Sequence, residues 1–390
     1  MLDWLPRRPG GDVVIVGAGK AAASMARVLE RNWSAPLGGT VVVPYGHSVA
    51  CEFVDVTEAS HPLPDAVGVK ATRRILDQVS GLSADDTVVC LLSGGGSSLL
   101  TLPLCGISLP EKQRITAELL RSGAPIHEIN TVRKKLSGIK GGKLAAACSP
   151  ANVITLIISD VPGNDVAIVA SGPTIGDATT TSDAISILSR YDIGISESTF
   201  AAMHAGNPAK TRNVDADVRT LATSDDALQA AAARALEEGV TPYVLGDLNV
   251  DARTLAQEHA DLAIQIANGG GPVAAPCVVL SGGETTVRVT GNGRGGRNGE
   301  YALALAIALD GHTAISAVAC DTDGIDGGAD NAGTFVHPDT LATATARSVD
   351  AADCLNNNDS YGFFEQTGDL IVTGPTLTNV NDFRAILIDA

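Results

Sequence analysis

The feature that most constrains the fold of this chain is the alternation of short β-branched segments with alanine-rich segments of helical period. The run at 13–16, for example, precedes a helical pattern over 20–31. Such alternation is typical of βαβ units arranged around a largely parallel sheet, so we predict an α/β fold. Buried strands are predicted at residues 13–16, 41–43, 88–92, 153–159, 278–280, 315–319 and 370–373, and helices at 20–31, 65–79 (with Asp65 near the cap) and 301–309.

The length of the chain indicates more than one domain. At 390 residues it is longer than one ordinary hydrophobic core organises, so two domains are expected. The polar stretch 206–218 contains Pro208 and lacks a periodic pattern, which makes it the candidate linker or boundary.

Composition argues against several classes of partner. The chain has 44 acidic and 27 basic residues and only 3% aromatic residues, whereas nucleic-acid binding depends on basic patches and stacking rings. No run approaches the roughly 20 apolar residues of a spanning helix, and the N-terminus lacks the apolar segment of a signal peptide. We therefore expect a soluble cytoplasmic protein with no nucleic-acid or membrane partner. Its seven cysteines, an odd number without a Cys-x-x-Cys pair, are expected to be reduced.

The polar motifs of the chain share one position relative to the predicted strands. Each begins at or just beyond the carboxyl end of a strand, which is the edge of an open α/β sheet where ligands bind. We therefore expect these loops to carry the functional site. The motifs are 17–20, 93–98, 160–163, 281–284, 321–324 and 374–376.

Two glycine-rich segments, each placed before a predicted helix, carry basic side chains that indicate an anionic ligand. Arg294 and Arg297 lie in a glycine-rich loop before the helical run 301–309, and guanidinium forks match phosphate or carboxylate oxygens. Lys20 follows Gly17 and Gly19 at a strand–helix turn. It is either a solvated lysine or, as we favour, a point charge placed over a phosphoryl group. A dinucleotide site is disfavoured because no acidic residue follows the second strand.

The loop 93–98 has three consecutive glycines between hydroxyl residues. Such a loop offers backbone amides and hydroxyls to phosphate oxygens, and we favour this function over a flexible turn. The predicted phosphate-binding residues are Ser93, Gly94, Gly95, Gly96, Ser97 and Ser98.

A basic segment and a set of carboxylates complete the candidates. Residues 133–143 carry five basic side chains and no acid, which fits equally a solvated helix face or a local attraction for an anionic substrate. Asp160, with either Asp321 or Asp323, forms a candidate Mg²⁺ site, although each carboxylate alone is more commonly a helix cap or turn residue. Glu284 is a similar candidate.

Taken together, these segments resemble the glycerate 2-kinase family, some members of which carry the older label hydroxypyruvate reductase. The similarity covers nearly the whole chain in order. The matching stretches are 17–22, 61–65, 93–98, 129–134, 158–163, 170–174, 281–286, 293–298, 321–327, 358–363, 373–376 and 379–382.

The resemblance implies a fold and a reaction. It implies an N-terminal Rossmann-like domain with a largely parallel sheet (1–220), a C-terminal MOFRL-type α/β domain (221–390) and an active site in the cleft between them. It also implies phosphorylation of the 2-hydroxyl of D-glycerate by ATP with Mg²⁺, giving 2-phosphoglycerate and ADP. The protein is expected to be a monomer or homodimer. By motif match, the catalytic cations are Lys20 and Arg297.

Further roles follow for the remaining motif residues. The nucleotide is expected to contact the 93–98 loop together with Gly17, Gly19, Gly282, Gly283 and Glu284. Glycerate is expected at Arg133, Lys134 and Asn298, and Mg²⁺ at Asp160 or Asp323. Two alternatives remain at this stage. One is an NAD(P)H-dependent hydroxypyruvate reductase, which would need an acidic residue after the second strand, and the other is a non-catalytic nucleotide-sensing protein.

Overall fold

The computed structural model describes residues 1–6, 9–33, 37–161, 163, 165–205 and 216–389. The chain divides into two compact units, Met1–Leu221 and Ala222–Ala390. Most of the expected linker, residues 206–215, lies outside the described residues, and its end joins the strand Asp217–Ala222. In the part of the chain that is described, no helix has the length and apolar character needed to cross a membrane.

The first unit contains six strands and eight α-helices among its described residues. The strands are β1 (Val13–Ala18), β2 (Leu37–Pro44), β3 (Val54–Ala59), β4 (Thr87–Leu92), β5 (Asn152–Ile158) and β6 (Asp217–Ala222), the last of which reaches the boundary between the units. The helices are α1 (Ala22–Asn32), α2 (Ala66–Val79), α3 (Gly96–Leu99), α4 (Leu109–Arg121), α5 (Ile126–Lys135), α6 (Lys143–Cys148), α7 (Thr181–Arg190) and α8 (Glu197–Ala205).

The first sheet has the strand order β3-β2-β1-β4-β5-β6, with parallel pairing from β3 to β5. Its central strands are buried on both faces, as the continuous apolar runs predicted; Val16 and Cys90, for example, are fully buried. The predicted Rossmann-like, largely parallel sheet is confirmed. The strand order reverses between β1 and β4, so the loops after these two strands flank a topological switch point.

Local sequence explains where the helices of this unit begin. The Asp65 carboxylate accepts a hydrogen bond from the Gly68 amide at 2.9 Å, which confirms the predicted cap of α2. Helix α7 begins with a capping box between Thr180 and Asp183. These caps satisfy amides that have no partner within the helix.

In the second unit, residues 222–389 form six strands and six α-helices. The strands are β7 (Thr241–Asp247), β8 (Cys277–Gly282), β9 (Ile315–Asp321), β10 (Gly333–Val336), β11 (Leu370–Ile371) and β12 (Asp382–Ile388). The helices are α9 (Ser224–Glu237), α10 (Ala252–Ala267), α11 (Arg297–Leu309), α12 (Thr340–Ala346), α13 (Ala351–Asn356) and α14 (Ser360–Thr367).

The second sheet is mixed, with the order β11-β10-β9-β12-β8-β7. Strand β12, which the sequence patterns did not predict, runs antiparallel to both β8 and β9. Strands β8 and β9 therefore point the same way on either side of β12, and their carboxyl ends meet the start of β12 at Asp382. The expected buried strand at 370–373 is wrong in extent and burial, because β11 has only two residues and both are half-buried.

The core of the second unit encloses a histidine. His259 on α10 is 4% exposed, and its Nδ1 lies 2.7 Å from the hydroxyl oxygen of Tyr301 on α11. Burial, with a smaller contribution from Arg384, lowers the pKa of His259 from 6.5 to about 4. The folded protein therefore holds this imidazole in its neutral form.

We expect this histidine to make stability fall in mild acid. Between pH 6.5 and 4 the unfolded chain protonates His259 and the folded chain does not, so stability present above pH 6.5 is lost as pH falls, by on the order of 3 kcal/mol. Urea unfolding of wild type and His259→Gln from pH 7.5 to 4.5 should show a flatter pH dependence in the variant. Equal pH dependences would contradict the assignment.

Candidate active site

In the first unit, the loops after β1 and β4 lie directly against each other. The Lys20 amide donates to the Gly94 carbonyl at 2.9 Å, and the Ala21 amide donates to Ser93 Oγ at 2.9 Å. A Cβ on Gly19, whose φ is +135°, would lie 2.2 Å from Ser93 Oγ, so only glycine permits this approach. The structure thus brings half-buried Lys20 together with the predicted phosphate loop at the switch point.

Within the 93–98 loop, some polar groups serve the loop itself. Ser93 is fully buried, and the amides of Gly96 and Ser98 donate to carbonyls inside the loop at 3.2 Å. Gly95, Ser97 and Ser98 are partly exposed. The exposed members are therefore the ones that could contact a ligand.

A chain of polar side chains connects this loop to α5. Ser97 Oγ lies 2.8 Å from Ser171 Oγ, and Ser171 Oγ donates to Asn130 Oδ1 at 2.9 Å. Since the Ser171 hydrogen goes to Asn130, Ser97 is the donor in the first contact. The loop is thereby connected to α5, the helix on which the basic segment begins.

The basic segment is not a solvated helix face. Lys140 is 1% exposed, and Lys134 and Lys135 lie 3.7 and 2.6 Å from the buried carboxylate of Asp177, which lies outside the segment. Arg133 is half-buried. Of the two alternatives, these buried and paired side chains disfavour a solvated helix face and favour a local attraction for an anionic substrate.

The two predicted metal ligands lie in different units. Asp160 is half-buried just beyond the carboxyl end of β5. Asp323 is 2% exposed, and its Oδ1 accepts a hydrogen bond from the Ile325 amide at 2.8 Å. Across the described ranges, no group of three histidine, cysteine or carboxylate side chains is arranged to hold a metal. Mg²⁺ commonly takes one or two carboxylates, phosphates and water, and the partly accessible Asp160 suits that role better.

In the second unit, Arg297 is held by three carboxylates. Its Nε lies 2.9 Å from Asp382 Oδ1, its Nη2 2.7 Å from Asp321 Oδ2, and its Nη1 3.1 Å from Glu284 Oε1. Asp382 and Asp321 are buried, whereas the Glu284 side chain is 52% exposed. Buried carboxylates therefore fix Nε and Nη2 of the guanidinium, whereas Nη1 pairs with a carboxylate at the surface.

The charges of this group determine one another's protonation. Burial alone would lower the pKa of Arg297, but Asp382, Asp321 and Glu284 outweigh it and raise the pKa above its usual value. For Asp321, burial and then the neighbouring Asp323 raise the pKa, against the opposing effect of Arg297. The short contact with Arg297 favours the ionised form of Asp321, so removing the guanidinium would favour protonation of this carboxyl group.

Asp382 connects Arg297 to a second buried arginine. Its Oδ2 accepts a hydrogen bond from Arg384 Nη2 at 2.7 Å, and its Oδ1 accepts one from Asn298 Nδ2 at 2.8 Å. Arg384 also donates from Nη1 to the Gly282 carbonyl at 2.7 Å. Asp382 is thus the shared acceptor that aligns Arg297 and Asn298.

Helix α11 begins at Arg297 and lacks a capping side chain of its own. The N-cap residue is Gly296, and the Asp326 carboxylate accepts hydrogen bonds from the amides of Asn298 and Gly299 at 3.0 and 2.8 Å. Burial raises the pKa of Asp326 to about 6, although these amides act in the opposite direction. A Cβ on Gly296 would lie 2.4 Å from the carboxyl carbon of Asp326, so glycine is required for the cap to reach the helix.

The remaining predicted residues of this unit have different environments. Gly282 and Gly283 are buried, and exposed Glu284 donates its amide to Asn249 Oδ1 at 2.7 Å. Arg294 is exposed, pairs with Asp330 at 2.9 Å and stacks on a tyrosine ring. The two arginines of the glycine loop therefore differ, since only Arg297 enters the carboxylate network.

Sequence reasoning assigned no role to several residues of these arrangements, among them Asp177, which pairs with Lys134 and Lys135. Asp382 and Arg384 lie at the start of the unpredicted strand β12, and Ser171 lies outside the basic segment.

A further buried cation outside that segment is Lys112 on α4, which is 3% exposed. A signal for Lys112 was present, because it falls on the same helix face as Ile115 and Leu119. A lysine on an apolar helix face is a candidate for a buried, functional charge.

Comparisons with known proteins place the chain among characterised sequences. Residues 3–204 match the family described as a domain of unknown function (DUF4147), and residues 277–382 match the MOFRL family. An Agrobacterium vitis protein named "Putative hydroxypyruvate reductase" is 50% identical and is aligned over 100% of this chain and 90% of its own length. The "D-glycerate 2-kinase" of Thermotoga maritima is 41% identical over 99% of this chain and 93% of its own length.

A solved structure agrees with these similarities. The crystal structure of a glycerate kinase from Thermotoga maritima matches with a TM-score of 0.89 at 40% identity, covering 97% of this chain and 92% of that one. The fold and the matched regions define the class as α/β proteins that combine a DUF4147 region with a MOFRL region. Within that class, the chain belongs to the glycerate 2-kinase family, as its motifs predicted.

Proposed function

We propose that this protein is a glycerate 2-kinase that transfers the γ-phosphoryl group of ATP to the 2-hydroxyl of D-glycerate. The observation that carries the proposal is the position of Lys20 against the 93–98 loop, at the switch point of a Rossmann-like sheet. Kinases of this kind depend on positioning and on charge stabilisation rather than on covalent chemistry. A lysine beside a glycine loop supplies both.

The nucleotide phosphates are proposed to lie on the first unit. Partly exposed Gly95, Ser97 and Ser98 would bind them, while buried Gly17 and Gly19 let the backbone approach. Asp160 is the residue that would hold Mg²⁺, which, when bound, neutralises phosphate charge. Lys20 would stabilise the charge on the transferring group.

Arg297 is proposed as a second catalytic cation, one that stabilises negative charge on a phosphoryl group. Its exposed ion pair with Glu284 is the weakest of its three contacts, since exposed pairs contribute about 0–1 kcal/mol. A phosphoryl oxygen could therefore replace Glu284 at Nη1 while Asp382 and Asp321 keep the guanidinium in place. Asn298 is fully buried, so we propose that it positions Asp382 rather than contacting glycerate.

The acceptor's carboxylate is proposed to bind Arg133 rather than Lys134. Lys134 has the Asp177 carboxylate as its partner, whereas the Arg133 side chain is half-buried and carries a guanidinium fork suited to two carboxylate oxygens. This fork would orient the 2-hydroxyl toward the nucleotide.

The reaction can be tested by phosphorus NMR of the products formed from ATP, Mg²⁺ and D-glycerate. The spectrum should show ADP and 2-phosphoglycerate. Accumulation of 3-phosphoglycerate, or release of inorganic phosphate alone, would contradict the proposal.

Replacement of Lys20 by methionine is expected to lower kcat by about 10²–10³, the loss typical of one charge-stabilising donor. Because Lys20 is half-exposed, the melting temperature should change little. A coupled ADP-release assay gives kcat, and Lys70→Met, an exposed lysine on α2, is the control with the same change of charge. Wild-type turnover by a folded Lys20→Met protein would exclude the role.

The reductase activity suggested by the older name can be tested in a separate experiment. Strand β2 ends at Pro44 and is followed by Tyr45 and Gly46, so an acidic group to bind a ribose is missing at that position. Purified protein mixed with NADH and hydroxypyruvate should leave the absorbance of NADH unchanged. Steady oxidation without ATP would favour the reductase.

A further inference from the structure

We propose that Lys112, Arg133, Lys140 and Lys143 form one binding site for the carboxylate of the acid substrate, with Arg133 as its direct ligand. The inference rests on the proposed function and extends it, because no motif assigned Lys112 to the substrate, and Lys140 and Lys143 had been considered only as members of a general basic segment. The four cations belong to α4, α5, the segment after α5 and the start of α6.

Two of the four cations are buried and help to close the site. Lys112 is 3% exposed, and its Nζ donates to Thr101 Oγ1 at 3.1 Å. Lys140 is 1% exposed, and its Nζ donates to the carbonyls of Leu100 and Ala170 at 2.9 and 3.2 Å. Among the described residues, neither Nζ forms an ion pair with a carboxylate, so both groups lack a formal counter-ion there.

The other two cations reach the accessible side. Lys143 Nζ donates to the carbonyls of Lys134 and Lys140 at 2.8 and 3.3 Å. Within the described part of the chain, the Arg133 guanidinium has no protein hydrogen-bond partner. Its donors are therefore the ones that a ligand would satisfy.

The cluster concentrates basic groups that repel one another, and a bound anion would offset this repulsion. Burial, followed by the charges of Arg133 and Lys143, lowers the pKa of Lys112 to about 7. Burial and the neighbouring Lys135 lower the pKa of Lys143 to about 8, although Asp177 opposes this. Burial, followed by the charges of Lys112 and Arg133, lowers the pKa of Lys140. A bound oxyanion would oppose the part of these shifts that comes from repulsion between the cations.

The position of the cluster favours the acid substrate over the nucleotide. Lys140 Nζ donates hydrogen bonds to the carbonyl of Leu100, just after α3, and to the carbonyl of Ala170, next to Ser171. The cluster therefore adjoins the far end of the 93–98 loop, while Lys20 contacts its beginning at Gly94. A small acid bound by Arg133 would lie beside a nucleotide whose phosphates occupy the loop.

The test measures D-glycerate binding by calorimetry, with the protein loaded with Mg²⁺ and a non-hydrolysable ATP analogue. Lys112→Met and Arg133→Met are each expected to weaken glycerate binding about 10- to 100-fold, the loss expected for a charged contact. Lys70→Met, with the same change of charge on an exposed helix position, should bind like wild type. The melting temperature of unliganded Lys112→Met should be unchanged or higher, because a repelled, desolvated charge is removed.

The outcomes separate this inference from the proposed function. Unchanged glycerate affinity in Lys112→Met would overturn the four-cation site, as would a lower melting temperature with an unchanged affinity. Loss of inorganic phosphate binding with glycerate binding intact would assign the cluster to a phosphate and overturn the carboxylate assignment. Glycerate binding that depends on the cluster, without phosphorylated product in the NMR experiment, would support the site and refute the kinase.

Discussion

Arg297→Met is expected to lower kcat by about 10²–10³, because the guanidinium would stabilise charge on the transferring phosphoryl group. Arg297→Lys keeps the charge but not the fork, so it cannot reproduce the three contacts with Asp382, Asp321 and Glu284. We expect it to recover only part of the activity. The measurement is kcat from ADP release under saturating ATP and glycerate.

The control for this prediction lies in the same loop. Arg294 is exposed, and its ion pair with Asp330 is at the surface, so Arg294→Met should retain wild-type kcat. Folding of each variant is checked by circular dichroism, since loss of Arg297 also leaves buried carboxylates without their partner. Equal turnover of folded Arg297→Met and Arg294→Met would refute the catalytic role.

Asp382→Ala is expected to reduce the free energy of unfolding of the second unit by about 3–5 kcal/mol. The substitution removes a fully buried carboxylate that pairs with Arg297 and Arg384, and Arg384 itself is 1% exposed. A buried guanidinium would then lack its charge partner. Asp382→Asn keeps an acceptor oxygen and should lose less stability.

Hydrogen exchange of the amides in β12 measures this effect without assuming that both units unfold together. Asp330→Ala is the matched control, because Asp330 is exposed and pairs with an exposed arginine. Its effect should be within about 0.5 kcal/mol. Protection of β12 in Asp382→Ala equal to that in Asp330→Ala would show that the Asp382 network contributes little.

Local patterns were sufficient for most of the first unit. Strands β1, β4 and β5 were predictable because a parallel strand covered on both faces has a continuous apolar sequence. The cap of α2 at Asp65 was predictable because a capping carboxylate contacts its own helix. The predicted position of the motifs after strand ends followed from these assignments.

The same reasoning failed for β12. Its burial alternates along Asp382–Ile388, and an arginine stands inside it, so neither a continuous apolar run nor a simple polar alternation is present. A buried arginine is acceptable in a strand only where the fold supplies Asp382 and the Gly282 carbonyl as acceptors. Asp382 is only 2 residues from Arg384 in the same strand, but Gly282 is 102 residues away along the chain and is brought near only by folding.

The sequence by itself determined the α/β class, the family, the glycine loops and the presence of basic side chains in an acidic chain. Local periodicity and short-range hydrogen bonds fix these features, and both are visible in neighbouring residues. Only the tertiary structure decided which charges are buried and how they pair. Asp177 accepts a hydrogen bond from Lys135, which is 42 residues away along the chain. Arg297 forms ion pairs with three carboxylates, and Lys112 lies near Lys140 in a buried cluster. The energy of a charge depends on its solvent exposure and on neighbours that are brought together only by folding.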